Sequence, residues 1–334
     1  MPTVTYSAAD TLSKPCQLIG TETVLEGLER HGIAVPNFCR SGVCQSCLMQ
    51  ATDGAIPPAA QKGLKDSLKA RNYFLACVCR PAGDLTLQPP GEHAAPLARG
   101  VVRRIEKLSH DVARVLLAYK SPFNYFPGQF VNLVRSDGLT RSYSLANLGA
   151  SGATDEDLLE LHVRKVVDGR MSTWLHDEAK PGASIDICGP HGDCFYVAGR
   201  PEQPILLGGT GTGLAPLYAI ARDALQQGHS GPIWLYHGAR ESAGLYLINE
   251  LLELAARHAN FRYVRCLVVG TESQDVRIGS IDKIVLADIP KFVGWRIFLC
   301  GNPDLVNSLR KSVFLAGAPM KEIYSDAFLM RASA

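Results

Sequence analysis

Apolar and polar residues follow three different rhythms along this chain. Through residue 90, short apolar runs alternate with turn residues around one stretch of helical period, 23–31, and close on a period-2 stretch, Asp84-Leu85-Thr86-Leu87-Gln88, that predicts a strand. From about 98 to 198 the period is mostly two. It predicts strands at 101–107, 112–119, 129–135, 140–146, 158–166 and 184–188, with one helix near 172–179. Strands at that spacing, joined by glycine or aspartate turns, predict a closed antiparallel barrel. From about 203, strands at 204–207, 233–237, 262–269 and 296–300 alternate with helices at 214–227, 245–258 and 303–316. Such alternation predicts a parallel sheet with helices on both faces. Residues 88–96, rich in proline, read as a linker between the first two segments.

A chain of 334 residues exceeds one ordinary core, which agrees with several domains. Hydrophobic residues make up 46% and charged ones 20%, the balance of a soluble globular protein. The net charge of +2 gives no general electrostatic case for nucleic acid or membrane. No apolar run reaches the roughly 18 residues that a spanning helix needs, and Met1 to Tyr6 lacks the pattern of a signal peptide. Ten cysteines change the picture more. Six of them (Cys16, Cys79, Cys188, Cys194, Cys266, Cys300) are scattered without a pairing pattern, which fits a reducing cytoplasm.

The other four are Cys39, Cys44 and Cys47, separated by four and then two residues, and Cys77 after 29 more. That is the plant-type spacing for a [2Fe–2S] cluster. Three thiolates on one short loop can wrap one side of a small cluster while backbone N–H groups point at its sulfurs. Gly42 gives that loop a residue able to take positive φ. A structural zinc site is the competing reading, because Cys44 and Cys47 form a CxxC. Zinc sites, however, pair two close-spaced couples, and Cys77 and Cys79 are only Cys-x-Cys. Cys79 is then a neighbour of the cluster.

Four further motifs carry chemistry. Arg141-Ser142-Tyr143-Ser144 lies on a predicted strand, where alternation puts Arg141 and Tyr143 on one face. There an arginine can meet a phosphate while a ring stacks on a flat cofactor; ordinary strand surface is the other reading. Gly169-Arg170-Met171-Ser172 precedes the predicted helix of the barrel segment, with Ser172 as its N-cap. It reads as an anion site or as a plain turn. Gly208-Gly209-Thr210-Gly211-Thr212-Gly213-Leu214-Ala215-Pro216 joins a strand to a helix, the place where backbone N–H groups approach a diphosphate. Cys300-Gly301-Asn302-Pro303 ends a strand before a helix, so Cys300 lies either beside a ligand crevice or in the core. The nine histidines form no mononuclear metal spacing, and His162 and His237 read as packed strand residues.

These motifs, in this order and over essentially the whole chain, resemble the ferredoxin–NADH reductase components of bacterial multicomponent oxygenases. These belong to the ferredoxin-NADP+ reductase superfamily and carry an N-terminal plant-type ferredoxin. The resemblance implies a β-grasp ferredoxin domain at 1–92, an antiparallel β-barrel FAD domain at 98–198 and a Rossmann-like α/β NAD domain at 203–334. Cys39, Cys44, Cys47 and Cys77 would hold the cluster. Arg141 would meet the FAD diphosphate, Tyr143 would stack on the isoalloxazine, and Ser144 would reach its N5 region. His162, Val163 and Arg164, with Gly169, Met171 and Ser172, would complete the flavin site. Gly209, Gly211, Thr212, Gly213 and Pro216 would hold NAD, with Cys300 and Gly301 beside the nicotinamide. The ending Ile323 to Phe328 matches the family's acidic-x-aromatic terminus and brings Phe328 near the flavin, although six residues follow it here.

The implied enzyme passes electrons from NADH through FAD and the cluster to an oxygenase or intermediate ferredoxin, in the catabolism of aromatic or other hydrocarbons. A flavin belongs between a two-electron hydride donor and a one-electron cluster. Arg240 beside Glu241 leans toward NADH, since a 2′-phosphate prefers more basic surroundings. The expected protein is cytoplasmic and monomeric, without nucleic acid or membrane. A reductase for a deoxysugar dehydratase and a non-catalytic redox sensor are the alternatives, and the nucleotide turn argues against the sensor.

Overall fold

In the computed structural model the chain divides into two units, Met1–Ala95 and Pro96–Ala334. Residues 1–8, 11–42, 44–90, 97–119, 123–149, 158–273 and 275–328 are described, so 91–96 of the expected linker lie outside them.

The first unit contains β1 (Thr3–Ala8), β2 (Thr11–Gln17), α1 (Val24–Arg30), β3 (Leu48–Asp53), α2 (Asp66–Ala70), β4 (Tyr73–Leu75) and β5 (Leu85–Gln88). They form a mixed sheet in the order β2-β1-β5-β3-β4, with β1 and β5 parallel. Thr23 starts α1 through a reciprocal capping box with Glu26, which satisfies two otherwise orphaned N–H groups. The helix buries Val24, Leu25 and Leu28 in one core with Val4, Met49 and Leu87 of the sheet. This is a sheet grasping a helix, the fold expected of the first domain.

The second unit opens with β6 (Leu97–Lys107), β7 (Val112–Tyr119), β8 (Phe130–Val134), β9 (Thr140–Ser144), β10 (Leu158–Arg164), α3 (Arg170–Thr173) and β11 (Ser184–His191). The strand order is β10-β7-β6-β11-β8-β9, antiparallel throughout. An isolated bridge from Leu145 to Leu161 joins the two ends into a barrel. Val115, Leu117, Val131, Leu133, Leu161 and Val163 fill it. The helix near 172–179 starts earlier than its residues suggest: α3 begins at Arg170 and continues as a π turn, Trp174–Glu178. Its N-cap is Gly169, not Ser172. The Ser172 hydroxyl instead accepts the Val166 N–H at 3.1 Å and donates to the Gly169 carbonyl at 3.0 Å, tying the preceding turn.

The unit continues with β12 (Ile205–Thr210), α4 (Leu214–Gln226), β13 (Ile233–Ala239), α5 (Ile248–Arg257), β14 (Phe261–Leu267), β15 (Val276–Ile278), α6 (Ile281–Asp288), β16 (Arg296–Gly301), α7 (Pro303–Leu315) and β17 (Ile323–Ala327). The sheet is parallel, in the order β15-β14-β13-β12-β16-β17. The chain runs outward from β12 to β15, then crosses back to β16 on the other side. The crevice at such a switch point, at the carboxyl ends of β12 and β16, is where open α/β sheets hold ligands. The helix expected from 245 begins only at Ile248, because Leu247 takes φ 55° and breaks the first turn. β15, α6 and β17 gave no pattern distinct enough to predict from sequence. No helix among the described residues is long and apolar enough to cross a membrane.

Candidate functional site

The cysteine loop of the first unit is wound by successive left-handed residues: Arg40, Gly42 and Gln45 have φ of 50°, 76° and 59°. Val43 lies outside the described residues. This winding turns N–H groups inward. Cys39 Sγ accepts the N–H of Cys44 at 3.3 Å and of Ser41 at 3.5 Å. The Ser41 hydroxyl and these amides pull its pKa down to about 5. Ser46, its Oγ 3.0 Å from Cys44 Sγ, lowers Cys44 likewise. Cys47 and Cys77 are buried. Burial and the neighbouring Cys47 thiol push Cys77 up to about 11.

The loop and the 3-10 turn Ala76–Val78 therefore present two thiol couples, Cys39 with Cys44 and Cys47 with Cys77. Among the described residues no three His, Cys, Asp or Glu side chains gather to hold a single metal ion. Four thiolates fit a [2Fe–2S] cluster, with one couple for each iron. Cys79 is buried in the core at the start of α1, where its carbonyl accepts the Val24 N–H at 2.9 Å. Burial raises its thiol to about 12.

In the barrel, β9 and β10 meet only at the bridge from Leu145 to Leu161, beside which the Ala146 N–H donates to the Glu160 carbonyl at 2.8 Å. Continued in register, Ser144 would face His162 and Tyr143 would face Val163. No ladder joins them: β9 pairs with β8 and β10 with β7, so the inner edges part. Unpaired strand edges ask for hydrogen-bonding partners, and a flat heteroaromatic ring between them would supply these. Tyr143 is half-buried, and burial raises its phenol despite Arg141. Arg141 is exposed and, among the described residues, donates only to the Thr140 carbonyl, at 2.8 Å. Among the described residues it has no carboxylate partner, whereas Arg135 and Arg170 both reach Asp137. The Ser144 hydroxyl, on a buried residue, likewise has no partner among the described residues. A guanidinium without a carboxylate partner among the described residues, a half-buried ring and a hydroxyl along parted strands fit an FAD.

Other expected flavin residues are placed differently. The Val163 side chain lies in the barrel core and Met171 is buried with it. His162 is turned outward, hydrogen-bonded to Glu160 at 2.9 Å and to the Tyr246 hydroxyl at 3.2 Å. What His162 and Val163 offer a ligand is their backbone. Gly169 is held to its turn by space: a Cβ there would lie 2.5 Å from Ser172 Oγ.

At the switch point, Gly211–Gly213 makes a 3-10 turn leading into α4, with Pro216 buried in that helix's first turn. A Cβ on Gly213 would lie 2.3 Å from the Cys300 carbonyl oxygen, and one on Gly209 2.8 Å from it. A Cβ on Gly301 would lie 2.6 Å from the Thr210 carbonyl. The glycines thus let the ends of β12 and β16 touch. Gly211, with φ 54°, lies under Arg164, whose Nη1 would be 3.0 Å from an added Cβ. Arg164 is also paired to Asp111 at 2.7 Å. An arginine over a glycine turn at a helix start has the charge and the N–H groups that could hold a diphosphate. The Cys300 side chain is buried in the core, 3.6 Å from Cys194 Sγ, with its pKa raised well above the usual value by burial. The Phe328 N–H donates to the Gly301 carbonyl at 2.8 Å, so the chain's acidic-x-aromatic end runs beside this turn.

Sequence reasoning missed a buried polar joint between barrel and α/β sheet. Arg114 binds Glu160 at 2.9 Å and Glu106 at 3.3 Å. Glu160 holds His162, and His162 holds Tyr246, whose ring also meets His237 edge-on. Burial lowers the pKa of both histidines, His162 despite its bond to Glu160 and His237 to about 3. The only sequence signal was a polar residue at every second place of β10.

Three domain families match the chain in order: the 2Fe-2S iron-sulfur cluster binding domain over 16–82, the oxidoreductase FAD-binding domain over 99–196 and the oxidoreductase NAD-binding domain over 207–311. The chain is 33% identical, over 91% of its length and 93% of the other protein's, to the ferredoxin–NAD(P)+ reductase component of the naphthalene 1,2-dioxygenase system of Pseudomonas putida. It is 35% identical, over 92% and 94%, to the reductase subunit of an aromatic O-demethylase of an Amycolatopsis species. Among solved structures, the Amycolatopsis cytochrome P450 reductase GcoB superposes with a TM-score of 0.66 at 31% identity, covering 98% of this chain and 99% of that one. The ferredoxin reductase of carbazole 1,9a-dioxygenase does so at 0.63 and 25%, covering 98% of each. The cysteine couples, the parted strands and the glycine switch point thus fall one in each matched domain, and the chain belongs to the ferredoxin–NAD(P)+ reductase components of oxygenase systems, oxidoreductases that combine [2Fe–2S], FAD and NAD-binding domains.

Proposed function

We propose that this protein carries electrons from NADH through FAD and a [2Fe–2S] cluster to the oxygenase, or intermediate ferredoxin, of a system acting on an aromatic or other hydrocarbon. One observation carries the reading. Arg164, at the end of the parted strand β10, lies over Gly211 of the nucleotide turn, and that turn touches the Cys300 carbonyl. The places for a flat ring and for a dinucleotide are therefore contiguous within the second unit.

The residue roles follow from position. Arg141 neutralises the FAD diphosphate, Tyr143 covers one face of the ring, and the Ser144 hydroxyl meets its polar edge. The backbone of His162 and Val163 lines the other edge. Gly169, Met171 and Ser172 fix the turn beyond β10, and the first N–H groups of α3, which have no intrahelical acceptor, serve the same phosphates. Arg164 and the N–H groups of Gly209 to Gly213 hold the dinucleotide, with Thr212 and Pro216 shaping the helix start. The ends at Cys300, Gly301 and Phe328 keep water away and hold the nicotinamide in line. The bound flavin supplies the step from a two-electron donor to a one-electron acceptor. Cys39, Cys44, Cys47 and Cys77 hold the cluster, and the donors around Cys39 and Cys44 favour the thiolate form that iron binds.

NADH is preferred because Arg240, just past β13, has acidic Glu241 beside it. The divisions 1–92, 98–198 and 203–334 belong to this reading, supported by one matched family in each. The six cysteines outside the cluster, all free thiols, support a reducing cytoplasm. Metal and flavin analysis of the purified protein, followed by turnover with NADH or NADPH against candidate oxygenase components, tests the reading. Two irons and one FAD per chain, with NADH favoured, are expected; a protein that binds no flavin defeats it.

A further inference from the structure

We infer that Cys194 and Cys300 form a reversible redox pair that governs use of NADH. The two Sγ atoms are 3.6 Å apart, although 106 residues separate them in sequence. Cys300 sits at the carboxyl end of β16, laddered on one side to Gly209 and on the other to Asp326. Cys194 lies in the segment that leads from β11 to β12, with its carbonyl against Gly128. A bond between them would tie the connection out of the barrel to the strand end that touches the nucleotide turn.

The exposures are 3% for Cys194 and 0% for Cys300, so only a water-sized oxidant meets them, and Cys194 meets it first. The oxidant is hydrogen peroxide. Cys194 sulfur attacks one peroxide oxygen, the O–O bond breaks, and a sulfenic acid and water form. Cys300 sulfur then attacks the Cys194 sulfur; the S–S bond forms, the S–O bond breaks, and hydroxide leaves as water with the Cys300 proton. Two thiols and one peroxide thus give one disulfide and two waters.

Closing 3.6 Å to a bond of about 2.05 Å requires the chains to approach. β16 has no room to move alone, because the Cys300 carbonyl already lies against Gly213. The strain reaches the nucleotide turn, so oxidation should slow flavin reduction by NADH. This consequence rests on the function proposed above; formation of the disulfide does not.

The test treats the holoprotein with hydrogen peroxide, blocks remaining thiols, and maps peptides without reduction. Flavin bleaching by NADH is followed by anaerobic stopped flow, before and after treatment. The expected result is a peptide pair joining Cys194 to Cys300 and a bleaching rate lower by about tenfold or more, both reversed by dithiothreitol. Cys194→Ala should keep its untreated rate and lose the sensitivity. Absence of the linked peptides, or an equal loss of rate in Cys194→Ala, would overturn the inference. Untreated protein whose flavin NADH cannot bleach would defeat the proposed function, with the peptide map still judging the disulfide.

Discussion

Cys39 and Cys300 are the same side chain in opposite surroundings. Cys39 is exposed on a wound loop, and amide and hydroxyl donors bring its pKa down to about 5. Cys300 is buried between strands, and its pKa is raised for want of solvent. The first is arranged to be a ligand anion, the second to remain a neutral thiol beside another. Sequence spacing reveals the first arrangement because three of its four thiols are local. It cannot reveal the second, because Cys194 approaches Cys300 only after barrel and parallel sheet have both formed.

The comparison breaks most sharply at Cys44. Cys44→Ser should remove the cluster entirely, since one couple is lost, while FAD and NADH oxidation by a two-electron acceptor persist. Iron content and the flavin spectrum check this together; loss of flavin in the same variant would mean the first 95 residues are not an independent unit.

On the other side, Gly213→Ala would place a Cβ 2.3 Å from the Cys300 carbonyl. The turn must shift, and displacement of order 1 Å should slow hydride transfer by about 100-fold with FAD retained. Stopped-flow bleaching measures it. Arg141→Ala sharpens the barrel's part: loss of a charge-assisted phosphate contact should weaken FAD by about 1.5–3 kcal/mol, read by flavin retention on dilution.

A different kind of effect, on stability and confined to part of the pH range, lies at Asp326, across from Cys300 on β17. Burial, with Asp193 nearby, raises its pKa from 3.8 to about 6. A carboxyl raised on folding favours the folded state at low pH, and that advantage is lost as pH rises through about 6. Asp326→Asn should therefore raise stability above pH 6, by up to about 3 kcal/mol, and give no gain below pH 4. Thermal melts at both pH values decide.

Much of the fold was legible because its elements are long and periodic: β7 spans 112–119 as the alternation predicts, and α4 and α7 end within a residue of expectation. β15, of two half-buried residues and one exposed, has no period to read. Arg141 and Tyr143 were legible as a pair on one face. His162 was legible as a packed strand residue, but not its partner, because Tyr246 lies 84 residues away. Tyr246 in turn was assigned to a helix that Leu247 delays. Ser172 misled because a serine before an apolar run reads as a cap, whereas the preceding glycine turn recruits its hydroxyl. Tertiary contacts decide such side chains, and local pattern does not carry them.

The central claim is the order NADH, flavin, cluster. Anaerobic mixing with NADH, following flavin absorbance optically and the reduced cluster by freeze-quench electron paramagnetic resonance, tests it most directly. The account predicts flavin bleaching first, with the cluster signal rising afterwards at the flavin's expense. A cluster signal that rises before the flavin bleaches, or with unchanged rate in protein stripped of FAD, would contradict it.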